Sequence, residues 1–319
     1  MIKFTRLFFV SGIITYLFFL LIWPQNAYGS EFSVNLTPQI IKIEANPEST
    51  IKKQITLENT SNNSIDLNVV FMPFTQSEQE NGQITYNLKE DFFSNDPGIF
   101  EKIQILDGSE VIKKITLAPK QKKNIDLLIN IPDKQNESEY YFSIVFISNN
   151  IAFDEKFIKN SSNEISAASI INAGIATNVL LSIKTPQDRP AGSITSFETP
   201  ILKESGPVKF TLKVKNTSPH FTEVYGTVII KNIFGQAIGQ ITIPKTTVLG
   251  NSSRIIPILW NEKFIAGSYT GYLTLFFGEK GTSFGRTISF FGFPSPYVLG
   301  IITVIIVILV ASGPLRKRV

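Results

Sequence analysis

Cysteine is absent from this chain of 319 residues, and histidine occurs once, as His220. Without cysteine there is no disulfide, thiol nucleophile or thiolate zinc site, so folding must rest on burial of apolar side chains. His220 is the sole candidate base for a Ser-His-Asp triad, but no Gly-x-Ser-x-Gly elbow accompanies it. We interpret it as a turn histidine that is exposed or contacts a neighbouring domain.

Nucleotide and calcium motifs are also missing: there is no Walker loop, Rossmann fingerprint or EF-hand loop. A glycosidase needs only two acids, so acidic groupings were weighed separately. The three closest are Glu90-Asp91, Glu137-Ser138-Glu139 and Glu78-Gln79-Glu80, all in polar, turn-like stretches. We therefore expect no catalytic residue, no cofactor and no metal. A surface hydrolase that uses acids brought together by the fold stays a less favoured alternative.

The chain lacks a basic field between its two ends, although its net charge is +4 and its pI about 9.0. Five of the 30 positive charges lie in the terminal segments: Lys3, Arg6, Arg316, Lys317 and Arg318. The part between carries 25 basic and 26 acidic residues, a net charge of −1. Nucleic acid is therefore not an expected partner.

Two hydrophobic segments bracket the chain. The first, 7–23, follows Lys3 and Arg6 and precedes Pro24 and the small-residue end Ala27-Tyr28-Gly29. This layout predicts a signal peptide over 1–29. An uncleaved signal, which would act as a second anchor, is the alternative.

The second segment predicts a transmembrane helix over 297–313 and a basic cytoplasmic tail over 314–319. We expect the lipid bilayer to be a partner, with the protein single-pass in the cell membrane and its ectodomain extracellular. Candidate membrane-interface residues lie on both sides of the span: Phe290, Phe291, Phe293 and Tyr297 before it, and Arg316, Lys317 and Arg318 after it.

Between these segments, apolar and polar residues alternate in short runs separated by turn residues. Examples are the runs 65–71, 125–129 and 142–146, each with an apolar residue at every second position. This period is typical of half-buried strands and predicts an all-β ectodomain of sandwich type. The stretch 166–176 could begin as a helix, but its continuation looks like a closing strand.

The strand pattern occurs twice, and each copy has the same turn. Asn59-Thr60-Ser61 corresponds to Asn216-Thr217-Ser218, with matching apolar positions before and after. The repeat predicts two tandem immunoglobulin-like β-sandwiches. The first occupies 30–184, with an insertion near 72–110, and the second occupies 193–293. A polar linker with proline and glycine, 185–192, joins them.

The insertion supplies the candidate partner-binding residues Tyr86, Phe92 and Phe93, and His220 joins them from the second copy. Aromatic rings in a polar segment can stack on sugars or anchor a protein partner. The alternative, which we favour, is that the phenylalanines form a small core beneath the insertion.

This layout resembles the WxL-interacting surface proteins of Gram-positive bacteria, which have a two-domain ectodomain and a C-terminal helix with a basic tail. The second half also resembles PapD-like immunoglobulin modules, through 214–218 (VKNTS) and Phe234-Gly235-Gln236. The resemblance implies a first domain that binds peptidoglycan and a second that binds a protein. The Trp-x-Leu motif of the family's partners is absent here, where Trp260 precedes Asn261 and Glu262.

Two functions follow from these observations. The first is a non-catalytic, membrane-anchored surface protein that binds or scaffolds, linking the membrane to cell-wall polymer (peptidoglycan) or to another exported protein. The alternative is a membrane-tethered, chaperone-like module that acts by β-strand addition at an exposed sheet edge.

Overall fold

The computed structural model describes residues 32–86, 97–134, 138–148, 165–166, 174–185, 188–279 and 281–311. The predicted signal peptide, the basic tail and the pair Phe92 and Phe93 lie outside the described residues. From Val34 onward the described residues belong to one compact unit. That unit is mostly β and contains four sheets, consistent with two immunoglobulin-like sandwiches. The predicted fold class is confirmed in this coarse form.

The described residues of the first sandwich form twelve strands. They are β1 (Val34–Thr37), β2 (Ile40–Ala45), β3 (Ser49–Asn59), β4 (Ile65–Gln76), β5 (Ile84–Tyr86), β6 (Ile103–Asp107), β7 (Glu110–Val111), β8 (Lys114–Leu117), β9 (Lys122–Ile131), β10 (Glu139–Ser148), β11 (Ile165–Ser166) and β12 (Gly174–Ile183). A 3-10 helix, Pro97–Lys102, precedes β6. One sheet has the order β1-β3-β9-β6-β7. The larger sheet has the order β11-β5-β4-β10-β12-β2, with β8 also on β4.

The N-terminal strand is split between the two sheets of this sandwich. β1 pairs antiparallel with β3, whereas β2 pairs in parallel with β12, from Asn178↔Ile40 to Ile183↔Ala45. The crossing occurs at Pro38, where proline removes one backbone donor from the ladder. β2 thereby becomes an edge strand of the larger sheet.

Within the ranges 188–279 and 281–292, the second sandwich forms eight strands. They are β13 (Gly192–Glu198), β14 (Leu202–Lys203), β15 (Val208–Asn216), β16 (Thr222–Asn232), β17 (Ala237–Val248), β18 (Ser253–Trp260), β19 (Gly267–Phe277) and β20 (Ser283–Gly292). One sheet has the order β13-β15-β18 and the other β14-β20-β19-β16-β17. The edge strand β17 is 12 residues long.

Strict alternation places the core side chains of the second sandwich. Along β19, buried and less buried residues alternate from Tyr269 to Phe277. Tyr269, Trp260 and Phe290 form an aromatic group, with ring centroids 5.3 to 6.1 Å apart. Because neighbouring residues of a strand point to opposite faces, Phe290 is buried in this core while Phe291 is exposed.

The two copies share a turn whose asparagine side chain is fully buried. Asn216 Nδ2 donates to the carbonyl oxygens of His220 (2.8 Å), Leu249 (3.0 Å) and Val248 (3.1 Å). Its Oδ1 accepts from the backbone N and the Oγ of Ser218, at 3.0 and 2.9 Å.

Asn59 repeats this network in the first sandwich. Its Nδ2 donates to the carbonyl oxygens of Asn63 (2.7 Å), Ala118 (3.0 Å) and Leu117 (3.1 Å). Its Oδ1 accepts from the backbone N and the Oγ of Ser61. Each asparagine therefore joins its own turn to a second loop of the same sandwich.

One helix, α1 (Ser295–Ala311), follows the last strand. Its 17 residues include no charged side chain, and its exposed large apolar residues are Tyr297, Leu299, Ile301, Ile302, Val304, Ile305, Ile306, Val307, Ile308, Leu309 and Val310. Among the described residues, no helix reaches the combination of length and hydropathy that a membrane span requires.

Candidate functional site

The two sandwiches pack together on the outer face of the larger sheet of the first domain. β10 is buried on both faces from Phe142 to Ser148, because one face lines its own core and the other lies in a second apolar cluster. That cluster combines first-domain side chains with one from the second domain: Met72, Phe74, Tyr86, Val145, Ile147 and Leu180 with Phe221. Leu249 packs against its edge.

Hydrogen bonds and ion pairs surround this apolar contact. Gly250 N donates to the Tyr141 hydroxyl at 3.0 Å, and Ile255 N donates to the Glu80 carbonyl at 2.7 Å. The Glu80 carboxylate also pairs with Lys213 Nζ at 2.5 Å. Backbone and side-chain groups of both domains thus hold them in one relative orientation.

A buried polar cluster lies at the same interface. His220 Nδ1 lies 2.7 Å from Glu139 Oε1 and 2.8 Å from Ser182 Oγ, while its Nε2 lies 3.2 Å from Asp188 Oδ2. The shared turn aims this ring at the first domain, because Asn216 Nδ2 and Ser218 Oγ both bind the His220 carbonyl. His220 is 4 % exposed and therefore contacts the neighbouring domain.

The serine, histidine and carboxylates of this cluster do not form an accessible nucleophilic site. Ser182 is fully buried within β12, and its hydroxyl also donates to Glu139. A nucleophile must be reached by the group that it attacks, and Ser182 has no exposure to solvent. Within the described ranges, no group of three or more His, Asp and Glu side chains has a geometry suited to a metal ion.

Burial raises the pKa of Glu139 above its ordinary value of 4.5, and the hydrogen bonds from Ser182 and His220 offset part of that effect. The folded protein therefore keeps this proton to a higher pH than the unfolded chain does. A raised carboxyl pKa makes the stability contribution of the group fall as the pH rises through the folded-state value. The other titratable groups around it are Tyr141, His220 and, through His220, Asp188.

We expect Glu139→Gln to remove this pH dependence, since an amide can accept the same hydrogen bonds without becoming charged. The unfolding free energy of the variant relative to the wild type should increase as the pH rises above about 4.5, the ordinary pKa of the carboxyl group. Urea denaturation at several pH values, followed by Trp260 fluorescence, measures this difference. If the difference in unfolding free energy does not change with pH, the raised pKa of Glu139 is contradicted.

A cavity of about 320 Å³ lies between the domains beside this interface. Its walls come from β2, β4, β5 and β12 of the first sandwich and from the ends of β17 and β18 in the second. Three cations line it, namely Lys42, Lys245 and Arg254, and no acidic residue does. We call this cavity the interdomain cleft.

Arg254 is the central cation of the cleft. It is half-buried, and burial lowers the pKa of its guanidinium. A guanidinium has five N–H donors. Among the described residues the Arg254 side chain forms one hydrogen bond, from Nη1 to the Thr247 carbonyl at 2.5 Å, and no ion pair. Gly82 leaves room for it: at φ +87°, a Cβ there would lie 2.3 Å from Nη2.

The two lysines of the cleft differ from Arg254 because each has a carboxylate partner. Lys42 pairs with Glu223, and Lys245 Nζ lies 3.0 Å from Glu279 Oε1 and 4.0 Å from Glu223 Oε2. Arg254 is therefore the lining cation that has no carboxylate partner within the described part of the chain. Such a cation attracts carboxylates and other anions.

Two edge strands flank the cleft. Ile40 and Lys42 of β2 line it on one side, and Lys245 to Thr247 of β17 line it on the other. In the described sheets each strand has a hydrogen-bonding partner on one edge only, β12 for β2 and β16 for β17. An unpaired edge can accept an additional strand.

The predicted site residues occupy different places. Tyr86 is buried in β5, and its hydroxyl donates to Ser143 Oγ at 3.1 Å. Tyr86 and His220 both belong to the contact between the domains, whereas Phe92 and Phe93 lie outside the described residues. Sequence reasoning missed Lys42, Lys245 and Arg254, because each resembles an ordinary solvated charge and only the fold brings them together.

The predicted membrane-interface residues also divide into two groups. Phe290 is 2 % exposed and packs on Phe210 and Trp260, so it is a core residue of the second sandwich. Phe291, Phe293 and Tyr297 are exposed. Because neighbouring residues of a strand point to opposite faces, Phe290 and Phe291 of β20 do not share one surface.

No protein-family model matches this sequence, and no curated protein matches it. Among solved structures, the chain is similar to one in a chaperone–tip adhesin complex of CFA/I fimbriae biogenesis, at 10% identity over 80% of this chain and 98% of that one, with a TM-score of 0.38. It is also similar to a chain of the chaperone–tip adhesion subunit pre-assembly complex of Csu pili from Acinetobacter baumannii, at 11% identity over 79% and 97%, TM-score 0.36.

A third similar structure is the Salmonella enterica SafA pilin in complex with the SafB chaperone, at 10% identity over 82% of this chain and 98% of that one, with a TM-score of 0.34. The similarity to these three solved structures is therefore distant, and it is not accompanied by a match to a family model.

Proposed function

We propose that this protein is a non-catalytic binding module that holds an extended, carboxylate-bearing segment of another exported protein in the interdomain cleft. The observation that carries the proposal is the half-buried Arg254, which faces a cavity lined by cations and has no carboxylate partner among the described residues. A buried cation without a partner is costly. A carboxylate of the bound segment would complete a bidentate pair with it.

The edges of β2 and β17 give the bound segment its conformation. A segment that lies between them can pair its main chain with either edge, and its alternate side chains then point into the cleft. Lysines on edge strands also discourage aggregation, which is a sufficient explanation for Lys42 and Lys245. It does not explain Arg254, whose guanidinium is half-buried against Gly82.

The proposal develops the strand-addition alternative derived from the sequence. Binding of peptidoglycan stays a prediction, because its candidate residues Phe92 and Phe93 lie outside the described residues. Transport of the chain out of the cytoplasm by the segment 1–29 also stays a prediction.

We further propose that the apolar C-terminal segment tethers this module to a membrane. A helix that is apolar on all sides is stable in an apolar environment, and α1 has exposed apolar side chains in every direction. Its 17 described residues correspond to about 25 Å at 1.5 Å per residue. The basic residues Arg316, Lys317 and Arg318 would hold the far end on the cytoplasmic side.

Selection from a random 12-residue peptide library on the full chain tests the cleft. We expect the enriched peptides to combine acidic residues with alternating apolar ones. Their affinity should fall about 10-fold to 100-fold in Arg254→Glu, because the charge-assisted hydrogen bonds of the guanidinium are replaced by repulsion. Fluorescence polarisation of a labelled peptide measures the change.

The matched control is Lys53→Glu, which makes the same charge reversal at an exposed position of β3, in the other sheet of the first sandwich. Its effect on affinity should stay below about twofold, since screening removes charge effects beyond about 10 Å. Equal losses in the two variants, or unchanged binding in Arg254→Glu, would exclude the cleft as the binding site.

A further inference from the structure

Exposed apolar side chains from three separate segments gather at the end of the second sandwich from which α1 begins. They are Ile201 just before β14, Leu202 in β14, Phe264 between β18 and β19, Phe291 in β20, Phe293 between β20 and α1, and Tyr297 in the first turn of α1. Ile201 is 80 % exposed and Phe264 is 54 % exposed. We call these six residues the end surface.

Backbone hydrogen bonds fix the end surface to the base of α1. Phe291 N donates to the Ile201 carbonyl at 2.7 Å, and Phe293 N donates to the Lys203 carbonyl at 2.8 Å. β14 and β20 pair in parallel at Leu202↔Phe291. The Phe264 ring meets the Tyr297 ring edge-on, with centroids 5.4 Å apart. The segments therefore share one rigid frame with the helix.

The connection from the sandwich to the helix is too short to separate them. Ser295 N donates to the Phe293 carbonyl at 2.7 Å, and Tyr297 N donates to the Pro294 carbonyl at 3.0 Å. The chain thus passes from the end of β20 at Gly292 to the start of α1 at Ser295 without a flexible stalk.

From this geometry we infer that the end surface docks on a lipid bilayer at the level of the headgroups, an inference that rests on the proposed tether. If α1 enters the bilayer, its first turn lies at the interface, and the end surface lies at the same depth. Aromatic side chains such as Phe264 and Tyr297 are favoured there. The surfaces of soluble proteins seldom carry such a cluster of exposed apolar side chains, and docking would remove the cluster from water.

The charges around the end surface balance. Lys203 and Lys263 stand beside Glu204 and Glu262, and all four flank the apolar residues. Docking should therefore depend on apolar contact rather than on anionic lipid, and it should occur on vesicles of phosphatidylcholine alone. This distinguishes it from binding by a basic patch, which requires anionic lipid.

The absence of cysteine allows a direct test on the full chain. Single variants Leu202→Cys, Phe264→Cys, Ile305→Cys and Val111→Cys would each carry a nitroxide label, after reconstitution into phosphatidylcholine vesicles. Val111, exposed in β7 of the first sandwich, is the matched control, and Ile305 reports on the tether itself. Collision with oxygen and with an aqueous nickel complex is measured by power-saturation electron paramagnetic resonance.

We expect the labels at 202 and 264 to lose collisions with the nickel complex and to gain collisions with oxygen, relative to the label at 111. If the labels at 202 and 264 show the same collision rates as the label at 111 while the label at 305 lies in lipid, the docking is overturned and the tether is kept. If the label at 305 collides with the nickel complex as often as the label at 111 does, both the tether and the docking are overturned. Dipolar broadening of the spectrum at 202 would show that two labels lie close together, and it would instead assign the end surface to contact with a second copy of the chain.

Discussion

Replacing Asn216 by aspartate is expected to lower the unfolding free energy of the second sandwich by about 3–5 kcal/mol, the range measured when a buried charge loses its compensation. The Asn216 side chain is fully buried, and Nδ2 donates to the carbonyl oxygens of His220, Val248 and Leu249. Aspartate places an oxygen against these three carbonyl oxygens. The substitution keeps the shape of the side chain and replaces a hydrogen-bond donor by an acceptor at one atom.

Guanidinium denaturation followed by the fluorescence of the buried Trp260 measures this loss. The twin substitution Asn59→Asp should destabilise the first sandwich by a similar amount, because its five hydrogen bonds match those of Asn216. Asn124→Asp is the control: Asn124 is exposed, and its Oδ1 accepts one hydrogen bond from Thr56, at 2.8 Å. That change should stay within about 0.5 kcal/mol, as surface substitutions usually do.

An Asn216→Asp protein within about 1 kcal/mol of the wild type would show that the loops rearrange. In that case the shared turn would not be what holds His220 against the first domain. The interdomain cluster would then need a different structural explanation, resting on Glu139 and Ser182 alone.

The twin turn is also the part of the fold that the sequence predicted best. The repeated Asn-Thr-Ser between alternating apolar runs indicated two equivalent turns, and Asn59 and Asn216 make equivalent hydrogen bonds. The all-β class followed from the period of two, which burial of one face of each sheet imposes. Both signals are local, so a single sequence carries them.

The interdomain features could not be predicted because they depend on contacts between distant segments. The crossing of β1 and β2 between sheets depends on pairing with β3 and β12. Arg254 and Gly82 are 172 positions apart in the sequence, yet they are in contact. For His220 the sequence left exposure and contact with a neighbouring domain both open, since nothing near it in the sequence indicates Glu139 and Ser182 as its partners.

The same limit applied to the candidate partner-binding residues. Phe221 was not singled out, although it is the large second-domain side chain in the apolar cluster between the sandwiches. Its position directly after His220 places a polar and an apolar contact on consecutive residues of one loop. The polar contact restricts orientation, and the apolar contact supplies most of the burial.

Phe221→Ala is therefore expected to release the two sandwiches from each other by removing about 3–5 kcal/mol of interdomain packing, the usual range for Phe→Ala in a core. Phe221 belongs to the interdomain cluster and not to the core around Phe210 and Trp260. Each domain should thus keep its own core, while small-angle scattering shows a larger radius of gyration and denaturation resolves two transitions in place of one.

The matched control is Phe234→Ala, at a phenylalanine that is 82 % exposed in the turn between β16 and β17. It removes the same atoms from a surface position and should change neither the scattering nor the denaturation profile. Unchanged scattering and a single transition in Phe221→Ala would contradict the role given to this ring. The interdomain cleft exists only while both domains keep one orientation. The release of the domains in Phe221→Ala should therefore also abolish binding of the peptides selected on the wild type, even though Arg254 is still present.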